Sequence, residues 1–209
     1  MPSTPLSIRS VFKRAWNLYT SHVLLFFIML LILVGAWLLL EAVVIYGQRF
    51  GFALWLIAHL AFLTFFAGYV AGFSRICLAI VDGVPVTISD LFTDLRTSLA
   101  MLAAIVIYLL LLLLGGLLFI MPGVLLGGRF NFYPFFLQRR EIGLIESFKL
   151  SKSLSKNIGA HQARFFLFRL TLNILGASLF GLGLFITIPL SGLMQAAMFR
   201  HLRDVAVAK

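Results

Sequence analysis

Four stretches of this chain carry no charged residue, and their lengths decide how many helices they hold. Residues 23–40 (VLLFFIMLLILVGAWLLL) run for 18 positions without a polar side chain. At 1.5 Å per residue that is about 27 Å of helix, enough to cross a bilayer core. Arg49 and Arg75 bracket 25 uncharged residues interrupted by His59, Thr64 and Ser74, which give a second span joined to the first by the turn 41–51. Residues 97–128 would form a helix of about 48 Å, too long for one crossing, and Met121-Pro122-Gly123 breaks it. Proline is tolerated in the first turn of a helix, so the third span ends near Phe119 and the fourth runs from near Pro122 to about Gln138. Residues 170–199 accommodate two further spans about Gly181-Leu182-Gly183 if Arg164, Arg169, Arg200 and Arg203 snorkel from the ends.

Between these spans the pattern changes to an amphipathic one. In residues 8–19 the apolar positions Ile8, Val11, Phe12, Ala15, Trp16 and Tyr19 share one helical face, and Arg9, Lys13 and Arg14 lie on the other. The segment opens Pro5-Leu6-Ser7-Ile8 and recurs 80 residues later as Pro85-Val86-Thr87-Ile88, with Phe12 and Phe92 in equivalent places. A second amphipathic helix is expected over 87–98. A weaker third copy starts at Leu144, with Phe148, Ser151 and the basic residues Lys149, Lys152 and Lys156. Each basic face suits the headgroup layer of a membrane. The expected fold is an all-α membrane protein. It has six transmembrane helices in three hairpins, each preceded by a cytoplasmic interfacial amphipathic helix, within a single domain 1–209 made of units 5–82, 85–140 and 144–203. Small-xxx-small pairs (Gly68 and Gly72, Gly123 and Gly127, Gly192 and Ala196) on the second helix of each unit predict close packing among spans two, four and six.

Composition agrees. Of 209 residues, 62% are hydrophobic and 11% charged, against about 45–50% and 25% in soluble domains. With the N-terminus inside, all of the 17 Lys and Arg residues except Arg49 and Arg129 fall on the cytoplasmic side, so both termini are expected there. The lone Cys77 excludes an internal disulfide.

Candidate chemistry is sparse. Arg129 falls about 10 Å into the fourth span, where an unsatisfied arginine costs roughly 2.5–3.5 kcal/mol. Its expected partners are Glu41 at the outer end of the first span, Asn131, Asn173 or carbonyls freed by Pro134 and Pro189. Three readings stay open: a lock between helices, a site for an anion or lipid phosphate, and a transport path with Asn131, Asn173 and Gln195. His59, Asn173 and Gln195 are expected to hydrogen-bond between helices. No catalytic, metal or nucleotide motif occurs, so neither an enzyme nor a cofactor is expected.

The hairpin break LLFIMPGVLLGGRF (117–130), the segment IESFKLSKSL (145–154) and the ending Phe199-Arg200 together resemble a broad bacterial group of six-span proteins. That group includes the YciC-like family and the membrane domain of some glycerophosphoryl diester phosphodiesterases. The resemblance implies a bacterial inner-membrane fold and assigns the break to Pro122, Gly123 and Arg129 and the amphipathic serine to Ser151. No catalytic domain accompanies these residues, so phosphodiesterase activity is not carried over. The expected function is that of a non-enzymatic scaffold for envelope maintenance. Its expected partners are membrane lipids, anionic ones included, and a second copy or another membrane protein; nucleic acid is not expected. The alternative is a small-solute or lipid transporter.

Overall fold

The computed structural model describes residues 7–47, 51–138, 142–156, 158–178 and 181–207, and all of the regular structure among them is helical. Pro5 of the first repeat, and Arg49, Arg139, Arg140 and Lys209 of the charge argument, lie outside the described residues. Helix α1 (Ile8–Ser21) ends where the His22 amide donates to the Tyr19 carbonyl, and α2 (Val23–Gly47) follows at once. Helix α3 (Gly51–Asp82) returns over about 48 Å. Helices α2 and α3, together with the segment Leu95–Leu117, are long and apolar enough to cross a membrane.

The second amphipathic segment departs from expectation. Instead of one helix over 87–98, it forms a 3-10 turn (Ile88–Leu91), an extended Phe92, and then α4 (Leu95–Leu118). Two helix-start signals lie too close together to share one helix. Asp90 accepts hydrogen bonds from the Thr87 amide at 2.8 Å and the Thr87 hydroxyl at 2.9 Å. Four residues on, Asp94 caps α4, accepting from the Thr97 hydroxyl at 2.8 Å and its amide at 3.4 Å. A residue that caps a helix sits outside it, so Asp94 forces the break.

At the predicted hairpin break, Phe119 is extended and α5 (Ile120–Phe130) starts immediately, with Pro122 in its first turn. A Cβ at Gly123 would lie 3.0 Å from the Gly116 amide nitrogen, so glycine at this position lets α4 and α5 approach backbone to backbone. The helix does not continue to Gln138. It stops at Phe130, and a short α6 (Tyr133–Leu137) resumes with Pro134 in its first turn, since proline cannot supply the amide that would bond to the Phe130 carbonyl.

The third copy is helical over α7 (Leu144–Leu154), and α8 (Gly159–Ser178) and α9 (Leu184–Val207) follow. The turn between the last two falls at the predicted Gly181–Gly183, with Gly181 at φ +78°. Their lengths correspond to about 30 and 36 Å.

The core has two apolar clusters. One gathers α1, α3 and α9 around Val11, Ala15, Ile76, Leu193 and Met198; the other joins Ala67 and Ala71 of α3 to Met101, Tyr133 and Phe148. On the apolar face of α1, Val11, Ala15 and Tyr19 are buried against protein, chiefly α9, while Trp16 stays exposed. Arg14 donates to the Val81 carbonyl at 3.2 Å and Arg200 pairs with Asp82 at 3.0 Å. Both cations meet the negative end of α3. Span packing is only partly as predicted: α3 meets α9 directly, whereas α5 packs on α4 and α8.

Gly72 is the tightest point, because a Cβ there would collide with the Leu91 carbonyl. Gly72→Ala should lower stability by about 1–3 kcal/mol. Gly35→Ala on α2, with nothing within 4 Å of the added atom, should be neutral or stabilising by up to about 1 kcal/mol. Thermal unfolding in detergent compares the two, and equal effects would contradict the assigned contact.

Hydrogen bonds from the Thr87 amide and then its hydroxyl hold the Asp90 carboxyl below the ordinary carboxylate range. The contribution to the turn is thus complete above the unfolded value of about 3.9 and is lost as pH falls through the lower folded one. The Thr87 amide resonance should titrate with a midpoint under 3.9; a midpoint at or above that value would remove the bond.

Candidate functional site

Helix α8 carries Gln162, Arg169, Asn173 and Gly176, and α9 carries Thr187, Ser191 and Gln195. At 3.6 residues per turn each set forms a stripe, and the two stripes face one another in register. Thr187 fits where Gly176 lacks a side chain, its hydroxyl lying against the position a Cβ would take. One turn along, Asn173 Nδ2 donates to Ser191 Oγ at 3.3 Å. One turn further, Arg169 Nη2 donates to Gln195 Oε1 at 2.7 Å. A seam of three polar rungs runs along the pair.

The third rung extends to the chain break after α5. Arg169 Nη1 donates to Asn131 Oδ1 at 3.1 Å. Gln195 Nε2 donates to the same oxygen at 3.2 Å and also to the Asn131 backbone carbonyl. The break is held from its other side by Ser151 of α7, fully buried, whose Oγ takes the Phe132 amide at 3.1 Å and donates to the Arg129 carbonyl at 3.0 Å. One hydroxyl thus satisfies an amide and a carbonyl left open between α5 and α6. Where α8 crosses α5, a Cβ on Gly128 would stand 3.2 Å from the Ala163 amide nitrogen and the Gln162 carbonyl.

Arg169 is the cation of this site. Its guanidinium carbon lies 5.8 Å from the centre of the Phe165 ring, and its acceptors are neutral amides. Among the described residues no carboxylate pairs with it. Several sealed polar atoms have no hydrogen-bond partner among the described residues: Arg169 Nε, Asn131 Nδ2, Asn173 Oδ1, Thr187 Oγ1 and both amide atoms of the fully buried Gln162.

Of the residues singled out from sequence, Asn131, Asn173 and Gln195 do come together on this seam. Arg129 does not. Gly127 and Gly128 face the neighbouring helices, which turns the next position outward, and Arg129 is exposed with no side-chain hydrogen bond or ion pair among the described residues. Glu41 stays half-buried on α2 without such a partner. His59, expected to bond between helices, instead contacts the Trp55 carbonyl of its own helix at 2.8 Å. Arg9, Lys13, Arg14, Lys149, Lys152 and Lys156 are exposed. Arg169, expected to snorkel from the end of a span, turns inward instead, onto Asn131 and Gln195; Ser191 and Thr187 escaped the sequence reading, although the spacings 162–169–173 and 187–191–195 held the signal.

No family model matches the chain, and no solved structure does. Uncharacterised proteins of Mycobacterium bovis and Mycobacterium tuberculosis are 31% identical to it over 151 residues, covering 67% of this chain and 46% of theirs. The corresponding protein of a second Mycobacterium tuberculosis strain is 30% identical over the same length. The chain spans about half the length of these curated relatives. They are consistent with an uncharacterised bacterial protein group.

Arg169→Ala removes charge-assisted hydrogen bonds to two amides, worth about 1.5–3 kcal/mol each, and should lower the thermal midpoint strongly. Arg129→Gln removes no hydrogen bond or ion pair among the described residues, so it should lower the midpoint far less. The reverse order of effects would return the lock to Arg129.

Proposed function

We propose that the protein is a non-enzymatic, six-span scaffold of the bacterial inner membrane that engages lipid and a membrane partner. In this reading α5 with α6, α8 and α9 add three crossings to α2, α3 and α4, and both termini are cytoplasmic. The observation that carries it is the closure of the polar seam: Arg169, Asn131 and Gln195 are spent on one another rather than lining an opening. A transporter would need those groups around a water-filled path, which is the less favoured reading. A crevice of about 160 Å³ between α2, α3 and α9, lined by Leu33, Phe66, Phe185 and Ile188, supports contact with acyl chains. The exposed basic faces of α1 and α7 support attraction to anionic headgroups. Membership of the YciC-like group belongs to the same reading, supported by the residues of the hairpin break and by uncharacterised bacterial relatives.

Two measurements test this. In a Cys77→Ala background, Leu182→Cys should react with an impermeant thiol reagent from outside the cell and Asp204→Cys only from inside; Asp204→Cys reacting from outside would leave five spans. Native mass spectrometry should find phospholipid on the wild type and less of it on Ile188→Trp, which fills the crevice. A wild type that carries none, together with solute uptake into vesicles that depends on Gln195, would favour the transporter.

A further inference from the structure

One backbone group on the crevice between α2, α3 and α9 has lost its donor. Pro189 lies inside α9, and a proline has no amide hydrogen to give to the carbonyl one turn back, here that of Phe185. In a membrane helix such a carbonyl is normally taken up by a neighbouring helix or by a nearby serine or threonine. Neither happens here. The Ser191 hydroxyl donates to the Ile188 carbonyl at 3.0 Å and receives Asn173, and Thr187 lies against Gly176. Among the described residues no side chain or loop amide donates to the Phe185 oxygen. Phe185 and Pro189, four residues apart on one face of α9, both line the crevice. The proline ring also clashes with that carbonyl and tilts it away from the helix axis. An acceptor therefore opens on an otherwise apolar space of about 160 Å³, walled by Met29, Leu33, Phe66 and Phe73.

Its depth and its polarity narrow the choice of occupant. The Phe185 ring meets Phe27 edge to face at 5.6 Å, and Phe27 is the fifth residue of α2, about 6 Å along that helix from its first. In the six-span reading this level lies just inside the hydrocarbon boundary, where the glycerol carbons of lipids meet their acyl chains. A bare carbonyl calls for a neutral donor. A phosphodiester brings only acceptors and a negative charge, and the donors of phospholipid headgroups lie beyond the phosphate. A free glycerol hydroxyl is a donor held next to the chains themselves.

We propose that this crevice binds diacylglycerol, whose free hydroxyl donates to the Phe185 carbonyl while the adjoining part of one acyl chain lies along Leu33 and Phe66. A cavity of about 150 Å³ holds a benzene ring, so the space takes the hydroxymethyl group and the first few carbons, and the rest of the lipid stays in the bilayer. The proposal rests on the lipid-engaging reading given above and adds to it the class of lipid and the atom that selects it.

The purified full chain in a maltoside detergent is offered dioleoylglycerol, its methyl ether, which keeps both chains and caps the hydroxyl, or phosphatidylglycerol, and bound lipid is followed by native mass spectrometry. The wild type should bind dioleoylglycerol about 3–10-fold more tightly than the ether, the range that one hydrogen bond supplies. Pro189→Ala returns an amide to the Phe185 carbonyl, so it should unfold at a higher temperature than wild type and bind the two glycerides alike. Ile188→Trp, which fills the crevice, should bind neither. Equal binding of the two glycerides by the wild type, or binding of phosphatidylglycerol in place of both, overturns this proposal and leaves the lipid-engaging reading standing. A wild type that carries none of the three lipids overturns both. A Pro189→Ala protein that keeps the wild-type preference removes Phe185 from the site and overturns the proposal as well.

Discussion

The arrangement of the C-terminal half depends on one cation held by two amides. Arg169 sits on α8, Gln195 on α9 and Asn131 at the break between α5 and α6, so a single side chain ties three segments that are far apart in sequence. Apolar contact is non-directional and does not by itself fix how one helix is turned against another. Directional hydrogen bonds therefore fix the rotation of α8 against α9, and the register of the seam follows from them. Ser151 extends the same logic to α7, because its hydroxyl is committed to both sides of the break. That geometry admits no larger side chain.

The fold was legible wherever it rested on length and on proline or glycine. The apolar runs of α2, α3 and α4, the stop at Phe119 and the turn at Gly181 all follow from local rules that neighbours do not overrule. Less was legible where two local signals competed. Thr87 with Asp90 and Asp94 with Thr97 each start a helix, and sequence periodicity alone cannot say that the second start wins.

The site was half legible for a different reason. An arginine in an apolar run draws attention, and Arg129 stood alone in one, whereas Arg169 stood at the edge of another and looked free to reach water. Direction decided the matter: Arg129 follows two glycines that occupy the helix contact and so faces out, while Arg169 shares a face with Gln162 and Asn173 and so faces in. A helical wheel over 159–178 sets Arg169 on the same side as Gln162 and Asn173. That no carboxylate among the described residues pairs with Arg169 is a property of the assembled helices and has no sequence signature.

The docking of α1 on α9 joins the first described helix to the last. During synthesis the N-terminal helix emerges long before its partner exists, and a segment with one apolar and one basic face does not remain bare in water. Its apolar side has a seat in the protein only once α9 is made. Completion of this fold is thereby coupled to synthesis of α9, and a chain stopped short of it would leave Val11, Ala15 and Tyr19 without their cover.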